Sequence, residues 1–285
     1  MSFGRIILGD NQFLGVNHAD QSKASSLNQK FGECEAIIEV LGWAYESGIR
    51  DFMFTTHERF NAVFQEIIRS HLFPEMNYIP CLPYAHKYAN AMAENGAINV
   101  VLDNLRGTSK CSLLIALSRA MIGDFSGLMR LLVHVELLMT KGLKVRGVFL
   151  LNILFDLLLG LNANILLEKY FRYVSEELGV IPGFITMNHP TAVTVLCDEI
   201  GIKSPWICSN YNFGGFRTNP CNTEVVKSFA SGKSKNIAMS VFASGALEAN
   251  VSLDYVLGSK GVDSILFGSS RRENIEQNTR LILGS

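Results

Sequence analysis

DFMFTTHERFNAVFQEIIRSHL, residues 51–72, is the stretch from which the fold can be read. Residues 51–56 are a short apolar and β-branched run opened by an acid. The run that follows carries Phe60, Val63, Phe64, Ile67 and Ile68 at the i, i+3, i+4 spacing of a helix. The hydrophobic period therefore changes from that of a strand to that of a helix within one segment. The same change recurs along the chain. Strand-like runs fall at 4–9, 51–56, 77–82, 146–152, 182–188, 205–210, 236–242 and 263–268, and helical patterns at 33–47, 58–72, 190–201, 221–231, 246–259 and 270–283. Such alternation implies a parallel sheet, because parallel neighbours need a crossover. Eight units in 285 residues predict an α/β fold, the closed (β/α)8 TIM barrel. An open doubly wound sheet would usually offer a glycine-rich turn after its first strand. Here that turn is Gly9-Asp-Asn-Gln12. Gly232-Lys-Ser234 looks like the end of a phosphate loop, but Lys227 stands where the first glycine belongs and a strand follows instead of preceding it.

Composition narrows the function classes. Apolar residues make up 48% of the chain and charged residues 18%, and 25 Lys+Arg against 26 Asp+Glu leave a net charge of −1. That apolar content excludes a disordered chain. With no basic excess to neutralise phosphates, nucleic acid is not an expected partner. The most apolar stretch, 145–167, contains Arg146, Asn152, Asp156, Asn162 and Asn164. A spanning helix would bury these in hydrocarbon, where a central charge costs about 2.5–3.5 kcal/mol. The stretch reads as a buried strand followed by a core helix, and no membrane is expected as a partner. Cys34, Cys81, Cys111, Cys197, Cys208 and Cys221 form no C-x-x-C pair. Scattered in this way they read as reduced, mostly buried thiols of a cytoplasmic protein. The N-terminal run turns polar too soon for a signal peptide. Residues 84–144 interrupt the rhythm between the third and fourth strands. They read as two or three helices, including a long apolar one around 111–140, inserted in a single domain spanning 1–285. This insertion is an elaborated crossover, a lid or an oligomer interface.

In a barrel, sites form at the C-terminal ends of the strands. The strand list therefore becomes a site list. Asp10, His57, Asn152 and His189 are the catalytic candidates. Asn11, His86, Lys87, Asn188, Asn210, Tyr211 and Arg217 are the substrate-binding ones. Thr55, Thr56, Glu58, Tyr84 and Asn212 fall in the same loops. Four of the six histidines, His18, His57, His86 and His189, come just after predicted strands. Imidazoles there suit general acid/base work, whereas the lack of any H-x-H or H-x-x-x-H pair argues against a metal. After the last strand comes Gly268-Ser-Ser-Arg-Arg-Glu-Asn274. A helix N-terminus in that place favours a phosphate. Ser244, Gly268, Ser269, Ser270, Arg271 and Arg272 are the candidate phosphate or cofactor contacts. Against this, Ser270-Arg-Arg-Glu273 also fits an ordinary capping box that would use those N–H groups internally.

Three stretches in the C-terminal third carry a family likeness: Val241-Phe-Ala-Ser-Gly-Ala-Leu247, Gly261-Val-Asp-Ser-Ile-Leu-Phe-Gly-Ser-Ser270 and Glu273-Asn-Ile-Glu-Gln-Asn278. Weaker echoes occur at Pro205–Asn212 and Ser47–Phe52. The chain resembles the aldo/keto reductase superfamily. The resemblance implies the barrel, with NADP(H) as the cofactor. It also implies a reductase site in which a Tyr, set with an Asp, a Lys and a His, protonates the carbonyl as NADPH delivers hydride. Residue by residue, that tetrad is not retained. Thr55 stands for the Asp, Phe60 for the Tyr, Leu82-Pro83 for the Lys and Asn152 for the His. Met187-Asn188 keeps half of the pair that holds the nicotinamide amide, Cys208 replaces a Gln, and Asn274 replaces the Arg of the closing segment. Reduction without its acid loses roughly 10²–10⁴-fold per missing group.

The expected protein is thus an enzyme on a reductase-like barrel that lacks the reductase tetrad. Its partner would be a small polar molecule, sugar-like or phosphorylated. Two alternatives are an NADP(H)-dependent oxidoreductase with a rearranged site and a non-catalytic metabolite-binding barrel.

Overall fold

The computed structural model describes residues 2–15, 21–84 and 126–284. Eight strands run in chain order around a closed barrel: β1 (Ile6–Leu8), β2 (Asp51–Thr55), β3 (Asn77–Leu82), β4 (Gly147–Leu150), β5 (Ile181–Thr186), β6 (Trp206–Asn210), β7 (Lys235–Met239) and β8 (Ser264–Phe267). All neighbours are parallel, and β8 closes on β1 through Ile6↔Ile265, Ile7↔Leu266 and Leu8↔Phe267. Each observed strand overlaps a run expected from the sequence, with β5 and β7 each starting one residue before theirs.

The two-residue period sorts the side chains. Ile7, Met53, Ile79, Cys81, Phe149, Ile185, Cys208 and Ile237 form the apolar cluster inside the barrel. Leu8, Phe52, Phe54, Val148 and Phe184 alternate with them and pack outward under the helices. At the N-terminal end Phe3 closes the floor, its ring 4.8 Å from that of Trp206 and 5.7 Å from that of Phe149. Two strand glycines make room for these rings. A Cβ on Gly183 would sit 2.2 Å from the Phe149 ring, and one on Gly147 2.7 Å from Phe3. Asp51 ties the floor together by accepting the Gly4 N–H at 2.6 Å and the Asn77 amide at 2.8 Å.

The outer layer comprises α1 (Gln21–Lys30), α2 (Cys34–Glu46), α3 (Phe60–Arg69), α4 (Ser126–Leu137), α5 (Asn152–Gly160), α6 (Asn164–Arg172), α7 (His189–Val193), α8 (Asn222–Phe229), α9 (Ala249–Leu257) and α10 (Arg272–Leu283). Wider π turns extend α6 through 173–177 and α7 through 194–199. α2 buries Ile37, Val40, Leu41 and Ala44 on one face, and α3 buries Phe60, Val63, Phe64 and Ile67. Each large side chain of this kind gains about 1.5–3 kcal/mol from burial. α1 was not expected, because its polar run, QSKASSLNQK, carries no apolar period.

Three expectations need correction. The helix in 145–167 is not core on every side. α5 buries Phe155, Leu158 and Leu159 but exposes Ile153 and Leu157. Of the thiols described, Cys81 and Cys208 are buried, Cys34 and Cys197 half-buried and Cys221 exposed. The last helix begins at Arg272, and Ser269, not Ser270, bonds to the backbone of Arg271 at its start. In the expected insertion, α4 and a 3-10 turn at Leu138–Thr140 are helical. Residues 85–125, with His86 and Lys87, lie outside the described residues, as does His18. No described helix is long and apolar enough to cross a membrane.

Candidate active site

The loop leaving β1 is pinned to its neighbour where Gly9 N–H donates to the Phe267 carbonyl at 2.8 Å. The next residue, Asp10, is only 7% exposed. Its Oδ2 accepts two hydrogen bonds from the end of β2, the Thr55 N–H and the Thr55 hydroxyl, both at 2.7 Å. Burial raises the Asp10 carboxyl above its ordinary value, and the two Thr55 donors oppose that rise without cancelling it. The site thus holds a carboxyl biased toward keeping its proton.

Two groups from β3 feel this carboxyl. Burial pushes the Cys81 thiol well up, with the Asp10 charge and then Cys208 adding to it. Tyr84 is raised by burial first, then by Asp10 and Glu58, with a weaker opposing pull from Arg59. Tyr84 also packs on His57, ring centroids 4.8 Å apart. His57 is half-buried, and burial followed by the Arg59 charge lowers its pKa. Its Nδ1 accepts the Arg59 N–H at 3.0 Å. A neutral ring with Nδ1 occupied as acceptor carries its proton on Nε2, so His57 presents an N–H donor. Beside it, Thr56 donates to the buried Glu136 of α4. Asp10, Thr55, His57, Cys81 and Tyr84 therefore gather at the C-terminal ends of β1–β3.

Other candidates do not join this cluster. His189 is fully buried between the barrel wall and the helices, its Nδ1 2.8 Å from Ser228 Oγ and its Nε2 2.8 Å from Asn236 Oδ1. Outward phase, set where β5 turns into α7, takes it away from the mouth. Asn188 caps that helix by accepting the Thr191 N–H at 3.2 Å. Tyr211 is buried against Phe229 and Tyr255 in the outer layer, since it follows the inward Asn210 by one residue. Asn152 is the first residue of α5, and the side chain that the end of β4 adds to the barrel interior is Leu151. Asn210 is buried and donates to the carbonyl of exposed Arg217 at 2.9 Å. Asn212 bonds both polar groups of Phe216 and so braces the same loop. Asn11 is exposed on the turn beside Asp10.

The phosphate candidates are divided. Ser240, Ala243, Ser244 and Gly245 all have left-handed backbones after β7, at φ 56°, 46°, 61° and 86°. After β8, Arg272 pairs with Glu46 at 3.0 Å and Glu276 at 2.7 Å. The Ser270 carbonyl accepts from Lys30 at 2.8 Å. Gln12 donates to the Gly9 carbonyl at 2.7 Å and lays its Oε1 where a Cβ on Gly268 would stand. Arg271 is exposed.

Sequence reasoning did not single out Asp156. Its carboxylate accepts the Thr186 hydroxyl at 2.6 Å and the Met187 N–H at 3.0 Å, holding the end of β5 to α5. A lone acid within NILFDLLLG was the available signal.

No protein-family model and no curated protein matches the sequence. Solved structures do match. A Pseudomonas aeruginosa protein classed with the aldo-keto reductases aligns over 100% of this chain and 92% of its own, with a TM-score of 0.64 and 11% identity. An aldo-keto reductase from Klebsiella pneumoniae, solved in complex with NADPH, aligns over 98% of this chain and 86% of its own, with a TM-score of 0.54 and 12% identity. A glycerol dehydrogenase from Gluconobacter oxydans aligns over the same shares, with a TM-score of 0.56 and 7% identity. At such identities the likeness speaks for the fold alone, a closed (β/α)8 barrel of the kind these proteins have.

Proposed function

We propose that the protein is an enzyme of the aldo-keto reductase barrel type that moves protons on a small, hydroxyl- or carbonyl-bearing substrate at the C-terminal mouth. The observation that carries this reading is the buried Asp10 carboxyl, raised by burial and held by Thr55. A buried carboxyl raised from its ordinary value binds a proton more readily than a free one and can pass it on to a substrate atom beside it. His57, neutral and with Nε2–H as donor, would polarise a substrate oxygen. The Tyr84 phenol, packed on that ring, would share the same oxygen. Asn11 and the 210–217 loop would supply further polar contacts. A substrate phosphate would lie beside the exposed Arg271, since the Ala243 and Gly245 N–H groups of the left-handed turn at 240–245 are already bonded to the Ser240 and Phe242 carbonyls.

NADP(H)-dependent redox chemistry is the second reading, favoured by the shared barrel and by the NADPH that the Klebsiella protein binds. When bound, that cofactor would supply hydride. The residues after β8 do not fit it. Gln12 fills the space over Gly268, Arg272 is held by two carboxylates and Ser269 is bonded to Arg271. A single phosphate asks for fewer groups.

The test is proton exchange. Sugars and sugar phosphates that stabilise the protein thermally would be incubated with it in D2O and followed by NMR. The expected result is deuterium at a carbon beside the carbonyl, with D10N slower by about 10²–10⁴-fold. Ligands that bind but never exchange would overturn the reading. Tight NADPH binding with hydride transfer would replace it with the second.

A further inference from the structure

We propose that Ser228, outside the barrel mouth, is a nucleophilic serine prepared by His189 and Asn236 to take acyl groups from small activated esters. The hydrogen bonds leave one assignment. Asn236 Nδ2 donates to the Gly261 carbonyl at 2.8 Å and the Phe229 carbonyl at 3.3 Å, so its Oδ1 is an acceptor. Ser234 donates to that oxygen at 2.7 Å, and His189 Nε2 lies 2.8 Å from it. Nε2 must therefore carry the imidazole proton. Nδ1 is then a lone pair, and the Ser228 hydroxyl 2.8 Å away donates into it. Nucleophile, base and orienting amide thus stand in series, the order that activates a serine.

The relay is rigid at its base and open at its tip. His189 is fully buried and its ring lies 4.2 Å from that of Phe229. Ser228, near the end of α8, lines an open cleft of about 260 Å³ between α7 and α8, together with Pro190, Thr194, Lys227 and Lys233. Lys233 is bound to Asp198 at 2.7 Å. Lys227 is exposed on the cleft wall and is the cation available to a developing oxyanion. Burial holds His189 low, at about 4, so the ring is neutral across the physiological range but a weak base. Acylation and the later hydrolysis, which use the same base, would both be slow.

Ser228 Oγ attacks the ester carbonyl as its proton passes to His189 Nδ1. The tetrahedral adduct collapses, the C–O bond to the leaving alcohol breaks, and Nδ1 returns the proton to that oxygen. Water later releases the acid from acyl-Ser228 by the same path. None of these groups belongs to the Asp10 site, so failure of either proposal leaves the other standing.

The experiment treats the full chain with p-nitrophenyl acetate and, separately, with a fluorophosphonate probe, followed by peptide mass mapping. The expected result is a label on Ser228 that is absent in S228A, a change that keeps the helix. The rate should stay flat from neutral pH down to about 5 and fall with a midpoint near 4, following His189. H189Q should lower the rate by about 10²–10⁴-fold. Label on lysines alone, an S228A protein modified at the wild-type rate, or a rate that simply climbs with hydroxide would each overturn the proposal.

Discussion

His189 enters the fold with an ordinary value of 6.5 and ends near 4, chiefly because burial disfavours the charged ring, with the Asn236 bond a partial offset. The unfolded chain therefore takes up a proton that the folded chain refuses. Stability is fully present above about pH 6.5 and falls as the pH drops toward 4, by about 3 kcal/mol in all. Asp10 works the other way: its folded value lies above 3.8, so it favours the fold at low pH and loses that contribution as the pH rises through its folded value. Urea denaturation of wild type and H189Q at pH 7.5, 6 and 5 separates the two. The wild-type midpoint should fall more steeply than that of H189Q, and parallel profiles would refute the assignment. The same residue explains why part of the site was hidden. Asp10 could be read as an acid directly after an apolar run. Whether His189 or Asn188 turned inward depended on the phase at which β5 gave way to α7, and no spacing in the sequence fixes that phase.

Strand positions were legible because β-branched and aromatic runs were bounded, at one end or the other, by Gly, Asn or Asp, each with its own reason to interrupt a ladder. Helix ends were less so. Ser270 has the right chemistry for a cap, yet α9 is capped by Glu248, whose carboxylate accepts the Asn250 and Val251 N–H groups at 3.1 and 3.0 Å. Glutamate is not among the usual capping residues, so no motif announces it. E248A should lower stability by about 1 kcal/mol, whereas S270A should stay within about 0.5 kcal/mol of wild type. Thermal unfolding of the two variants checks this, and equal losses would contradict the capping roles. In α5 the difficulty was different: NILFDLLLG is too uniformly apolar for a period to show which face is buried.

Closure of the ring was predictable from the count of β/α units. How its lower end is sealed was not, because that depends on Phe3 meeting Phe149 and Trp206, residues far apart in sequence. Phe3 is 8% exposed, so F3A should cost about 3–5 kcal/mol. It should do so without changing the affinity of a mouth ligand, as calorimetry alongside denaturation would show. Weakened binding in proportion to lost stability would mean that floor and mouth are coupled.

A vessel sealed below has one doorway. With the interior itself filled by Ile7, Met53, Ile79, Phe149 and Ile237 above the aromatic stopper, a guest of the mouth would have to arrive and depart on the same side.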